Sequence, residues 1–322
     1  MTGTRRVVVY SAALKRYCEP LLAGYHARHP GEPIEFHDDI SVALDRRYRD
    51  EVAAGLPSAD VMWSSAMDMQ AVLVREDYAL PITSEAAGAL PEGSVYRGCA
   101  FATTLEPLVT LVNAEVIGSD PAGALVEIAE LIEREPSRLR GRIISYDIVR
   151  NGLGFLAMLH ERRLRPGFDR YLQGLRGMSP RIHPWNPAMI DELADGRAVV
   201  SPHMLGSFAE RALAAHPALA VAASAYPALA ISRVAFVSRH ARNPEGGRRF
   251  IDYLLSDEGQ AHLDASGLFP LRRAAGQRPR GIAALSLDPI RLDASFDMLL
   301  DAQSRHDLLA SWAEATGVAL PA

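Results

Sequence analysis

Two cysteines in 322 residues, Cys18 and Cys99, are too few and too far apart in sequence for a zinc cluster or a disulfide scaffold. Lysine is almost missing: Lys15 stands alone among 34 basic residues, which we read as the codon bias of a GC-rich genome. No apolar run reaches the ~18 residues that would mark a membrane span. A net charge of −5 with no block of like sign offers no basic face to neutralise phosphates, which argues against non-specific nucleic-acid binding. The chain also lacks the Gly-x-Ser-x-Gly elbow, the Walker loop and the His-Glu-x-x-His zinc helix, so no catalytic constellation can be read.

What is present is a chain that is 48% apolar and long enough for two domains, each with its own core. Arg5-Arg6 followed by Val7–Tyr10 imitates the start of a signal peptide, but the apolar stretch is too short and no small-residue cleavage site follows. We expect Val7–Tyr10 to be the first strand of a mature fold. The chain is then either cytosolic or an extracytoplasmic protein whose leader is absent from this sequence.

Strand and helix patterns alternate from there, which implies a parallel sheet covered on both faces. Leu14, Tyr17, Cys18, Leu21, Leu22 and Tyr25 mark one buried face of a helix of about four turns. Pro33–His37 reads as a strand, Ser41 as the cap of a helix to about Ala54, and Ala59–Trp63 as a strand running into a helix opened by Ser64-Ser65. From Tyr96 to Asn113 two extended runs flank Glu106-Pro107, and Leu229–Ser238 forms another long apolar strand. These two stretches are the expected crossings between domains. Asp120-Pro121 should start a helix. A second series follows: strand Arg142–Tyr146, helix from about Asn151, strand Arg181–His183, helix Pro187–Asp195, strand Ala198–Pro202, and a helix from about Gly206. Asn243 and Ser256 should cap two later helices. The stretch from Pro270 to Arg280 reads as a linker, and a last helix carries Phe296, Leu299, Leu300, Leu308, Leu309 and Trp312.

Gly152-Leu153-Gly154-Phe155-Leu156-Ala157 matches a dinucleotide-binding fingerprint, but Asp147–Arg150 separate it from the preceding strand and no strand follows at Leu164–Phe168. A helix start that captures an anion on backbone amides, beside Asn151 and Arg150, fits the segment better. Three more helix openings follow strands: Ser11-Ala12, Ser64-Ser65 and His203–Ser207. In open α/β sheets such strand ends face the ligand. His26 and His29 sit at a helix end before Pro30 with no Cys or acidic partner nearby, and we read them as structural.

Arg233-Val-Ala-Phe-Val-Ser through Asn243-Pro and Phe250-Ile-Asp-Tyr-Leu-Leu-Ser-Asp-Glu-Gly-Gln260 resembles the ferric-type class of solute-binding proteins of ABC transporters. Val9-Tyr10-Ser11, Ala59-Asp60-Val61, Asp68-Met69-Gln70 and the terminal helix near Arg305 and Trp312 extend the resemblance over nearly the whole chain. It implies an α/β, two-lobed periplasmic-binding-protein fold of type II with two crossing hinge strands. Residues 1–102 and 230–275 would form one lobe and 103–229 and 276–322 the other. Ferric binders of the class use a histidine, a glutamate and a tyrosine pair. Here Leu14, Ser65 and Gly206-Ser207 stand at or near those places, so trivalent iron would lack hard donors. Leu205–Ala209 and Ser65–Gln70 are closer to the branch that binds phosphorylated sugars and related organophosphates.

The resemblance therefore implies a monomeric extracytoplasmic binding protein, not an enzyme. It would capture a small anionic solute between its lobes and deliver it to an ABC permease, with no cofactor and no resident metal. The expected contacts are Ser11, Ala12, Ser64, Ser65, Arg150, Asn151, Gly152, Asn186, His203 and Ser207. A sensor domain of the same fold, a ferric-ion binder and a transferase on the same scaffold are the alternatives.

Overall fold

The computed structural model describes residues 6–117, 123–272, 282 and 285–320. The strands, in chain order, are β1 Val7–Ser11, β2 Ile34–Asp38, β3 Val61–Ser64, β4 Val95–Tyr96, β5 Ala100–Ala102, β6 Glu106–Asn113, β7 Ile144–Tyr146, β8 Arg181–His183, β9 Val200–Leu205, β10 Leu219–Val221, β11 Ala228–Ile231, β12 Val234–Val237 and β13 Leu287–Pro289.

The chain divides into two compact units. The first comprises Met1–Glu106, Ile231–Pro279 and Pro289–Asp297; the second comprises Pro107–Ala230, Arg280–Asp288 and Met298–Ala322. In the first, one sheet runs β2-β1-β3-β12-β5-β4. β1 pairs in parallel with β2 and β3, and β12 closes antiparallel on β3 and β5. Parallel pairing demands helical crossovers that cover both faces. The β1 and β3 side chains Val7, Val9, Val61 and Trp63 are accordingly buried against Phe250, Ile251 and Leu254 of the helix Pro244–Leu255. In the second unit a sheet runs β10-β6-β11-β13, with β9 also pairing β6, and β7 pairs in parallel with β8.

Each unit alternates strands with helices around its own sheet, in keeping with the α/β reading of the sequence. Asn243 and Ser256 cap their helices as expected, accepting from the Gly246 and Gly259 amides at 3.0 and 3.1 Å. Several boundaries differ. Ser41 is the first helical residue, not the cap; that place falls to Ile40, with no side-chain bond. The four-turn helix after β1 is a single 3-10 turn, Lys15–Tyr17, and then a helix Glu19–Arg28, because Pro20 fits only a helix's first turn. Glu106-Pro107 lies inside β6, and Ser232-Arg233 interrupt the stretch read as one strand. The terminal helix breaks at Asp301, whose carboxylate accepts from Ser304 N at 2.8 Å and starts Ala302–Thr316. The start proposed at Asp120-Pro121 lies outside the described residues. His26 has a structural task, its Nε2 accepting from Ile34 N at 3.0 Å.

Arg233 and Glu106 form a buried charge pair. Arg233 Nε lies 2.6 Å from Glu106 Oε1, with the side chains 1% and 0% exposed. Thr103 and Thr104 tie the same region together: the Thr103 hydroxyl donates to Arg233 O at 2.8 Å, and Arg233 N donates to Thr104 Oγ1 at 2.9 Å.

Candidate functional site

In the first unit the two serine turns are neighbours, because Ser11 and Trp63 are partners in the β1–β3 register. Each serine folds its hydroxyl back on its own turn. Ser11 Oγ accepts from Ala13 N at 3.0 Å and Ser64 Oγ from Ala66 N at 3.2 Å. Ala12 N donates across to Trp63 O at 3.1 Å, which locks the two strand ends together. Ser11, Ser64 and Ser65 are buried. The helix that follows Ser65 begins only at Met67.

The second unit builds its helix start more elaborately. β7 ends at Tyr146, and the Asp147 carboxylate then accepts from Val149 N and Arg150 N at 3.1 and 3.3 Å, an Asx-type turn. Asn151 caps the helix Gly152–Leu164: Oδ1 accepts from Gly154 N at 2.8 Å, and Nδ2 donates to Pro184 O at 2.9 Å. The amide is thus held at both ends. Beyond Pro184 the Tyr146 hydroxyl donates to Asn186 Oδ1, so Asn151, Gly152 and Asn186 form one cluster over the β7–β8 pair. Arg150 beside them is exposed and forms no ion pair among the described residues.

Gly154 of the apparent dinucleotide fingerprint has another purpose. A Cβ on Gly154 would stand 2.4 Å from Tyr146 Cβ, so the helix packs on β7 only because no side chain intervenes. Five residues separate β7 from the helix, and the helix Phe168–Leu175 follows where a ribose-binding strand would be needed.

Ser207 lies in the first turn of the helix Gly206–Ala215. It is 1% exposed, and its hydroxyl has no partner among the described residues. His203 lies elsewhere: it lines a cavity of about 590 Å³ whose walls include none of the other candidate residues. Sequence reasoning missed Tyr146, Asp147 and Pro184. An aspartate three residues before Arg150 at a strand end is the one local signal that was available. The Tyr146–Asn186 bond joins residues 40 apart and leaves none.

No family model matches the chain, and no curated protein matches it. Solved structures do. The substrate-binding protein of an ABC transporter from Agrobacterium tumefaciens is 27% identical, covers 98% of this chain and 95% of its own, and superposes with a TM-score of 0.89. The periplasmic binding protein AfuA from Actinobacillus pleuropneumoniae, with fructose-6-phosphate bound, is 17% identical over 98% of this chain and all of its own, with a TM-score of 0.81. Iron-bound HitA from Pseudomonas aeruginosa is 14% identical over 97% and 99% of the two chains, with a TM-score of 0.75. The last two show the fold alone. The resemblance read from Arg233–Gln260 and the N-terminal motifs is to this class of structures, in which the Agrobacterium protein is a substrate-binding protein of transport and not an enzyme.

Proposed function

We propose that this chain is the extracytoplasmic solute-binding protein of an ABC transporter, with a permease as its partner, and that its solute is a small anion such as a phosphorylated sugar or related organophosphate. The transport role is supported by the likeness to the Agrobacterium substrate-binding protein over almost the whole of both chains. Among the described residues no helix is long and apolar enough to cross a membrane, which fits a protein that works beside one.

The nature of the solute rests on one observation, the preassembled helix start at Asn151. Backbone amides and the positive end of the helix dipole favour an anion there, and Arg150 is the cation beside them. Asn151, fixed by Gly154 N and Pro184 O, holds that geometry in place. Asn186 and Ser207 belong to the same unit, and Ser11, Ala12, Ser64 and Ser65 are the proposed contacts for the solute's hydroxyls. Ferric iron is disfavoured by Leu14, Ser65 and Gly206-Ser207 at or near the places where hard donors would be needed.

The test is a melting-temperature screen of hexose phosphates, phosphoglycerates, dicarboxylates and neutral sugars side by side. A true ligand at about 100 times its Kd stabilises the fold by about 2.7 kcal/mol. Phosphorylated compounds should shift the melt. If neutral sugars or amino acids shift it while every anion is silent, the anion reading fails.

A further inference from the structure

The cavity around His203 lies inside the second unit and is walled mainly by Leu108, Leu125, Val126, Leu213, Val221 and Leu229. Its volume of about 590 Å³ falls in the range of small-molecule sites. It is distinct from the anion site. Glu161, which lines it, lies in the last turn of the 13-residue helix that Asn151 starts, about 15 Å from Asn151 at 1.5 Å per residue, and Arg165 caps that end.

The sheet is distorted to bring a histidine here. β9 pairs β6 with Met204 opposite Val109 and Ser201 opposite Leu111, so Thr110 alone faces both Pro202 and His203. This is a bulge, and His203 occupies it at φ +59°, a left-handed conformation that side chains other than glycine resist. As a result Pro202 and His203, adjacent in sequence, both line the cavity instead of pointing to opposite faces. Such strain persists where the surroundings over-determine it, and bulges commonly re-aim a side chain at a site.

His203 is 6% exposed, and its Nδ1 has no hydrogen-bond partner among the described residues. Nε2 lies 3.5 Å from Glu161 Oε1. A carboxylate only accepts, so Nε2 is the ring nitrogen that carries a proton toward Glu161, and in the neutral ring Nδ1 is left as an acceptor. Arg165 is taken up by Asp288, with Nη2 2.5 Å from Oδ2. Among the polar groups of the lining, His203 Nδ1 and the Glu161 carboxylate are therefore acceptors, set beside the paired Arg165 within largely apolar walls.

We propose that this cavity is a second binding site, for a small and largely apolar molecule bearing one hydrogen-bond donor, a hydroxyl or N–H group, which His203 Nδ1 accepts. The inference stands independently of the anion site. Its test is calorimetric titration of the intact protein with indole and with 1-methylindole, which has the same shape but no donor. Indole should bind at least tenfold more tightly. His203→Asn, whose side chain tolerates the left-handed backbone, should remove that difference and leave 1-methylindole unchanged. Val221→Phe, which fills the cavity from its wall, should abolish binding of both. The proposal is overturned if indole does not bind, if the two probes bind equally to the unmodified protein, or if Val221→Phe has no effect.

Discussion

Two helices of this protein begin with the same device and end up with opposite electrostatics. Asn151 and Asn243 each cap a helix by accepting from the amide three residues on, Gly154 or Gly246. In both cases the glycine leaves room for close packing, since a Cβ there would meet Tyr146 at 2.4 Å or the Asn243 side chain at 2.3 Å. At Asn243 the protein supplies its own anions. Asp60 accepts from Asn243 N at 2.8 Å, and Glu32 accepts from Asn243 Nδ2 at 3.3 Å while held by Arg249. At Asn151 the Asp147 carboxylate is spent on the turn before the helix, and the residue next to the cap is the exposed cation Arg150. The same cap is a structural staple where acids quench it and a candidate anion receptor where they do not.

The largest expected effect comes from removing the acid at the stapled end. The bonds from Arg249 hold the Glu32 carboxyl down to about 2, against an ordinary 4.5, with Tyr25 and Asn243 adding to the effect. A depressed carboxyl stabilises the fold above its unfolded value and loses that contribution as the pH falls from 4.5 towards 2. Glu32→Gln should therefore cost about 3 kcal/mol at pH 7 and flatten the acid limb between those values, as read by urea unfolding at a series of pH values. Solute affinity should not change.

Next comes Gly154→Ala. In an exposed helix this change would stabilise, but overpacking against Tyr146 should reverse the sign and cost about 1–3 kcal/mol. A melt equal to or above that of the unmodified protein would contradict the packing described here.

The smallest stability effect is the sharpest comparison. Asn151→Ala and Asn243→Ala should each lose a cap worth about 1 kcal/mol. Only Asn151→Ala should also weaken a phosphorylated solute, by about 1.5–3 kcal/mol if the charge-assisted bonds at that helix start are lost. Equal affinity in the two variants would reduce Asn151 to a staple like Asn243.

Much of this was legible because it is local. The caps at Asn243 and Ser256 and the helix start at Gly206 each depend on residues within one turn of each other. Phe168, Tyr171, Leu172 and Leu175 carry the helical i, i+3, i+4, i+7 spacing and are all buried, a helix that the reading of Leu164–Phe168 as no strand left unassigned. The short strands β10 and β13 exist only through their pairing with distant partners. At the site, Asn151 as a helix start was readable, while its anchor on Pro184 O was not. The orientation of His203 was the least accessible, because it follows from a register shift against β6 and not from the residues around it.

The buried pair of Arg233 and Glu106 carries a consequence for how this sequence can evolve. Removing either partner strands a charge in the interior and costs about 3–5 kcal/mol, so neither position can drift alone. Nor is arginine interchangeable with lysine here: the guanidinium spans both carboxylate oxygens, with Nε 2.6 Å from Oε1 as an ion pair and Nη2 donating to Oε2 at 3.5 Å, a reach that a single ammonium does not match. Elsewhere the near-exclusive use of arginine reflects the genome; at Arg233 it is a requirement of the fold, and descendants of this chain should keep both residues or replace both together.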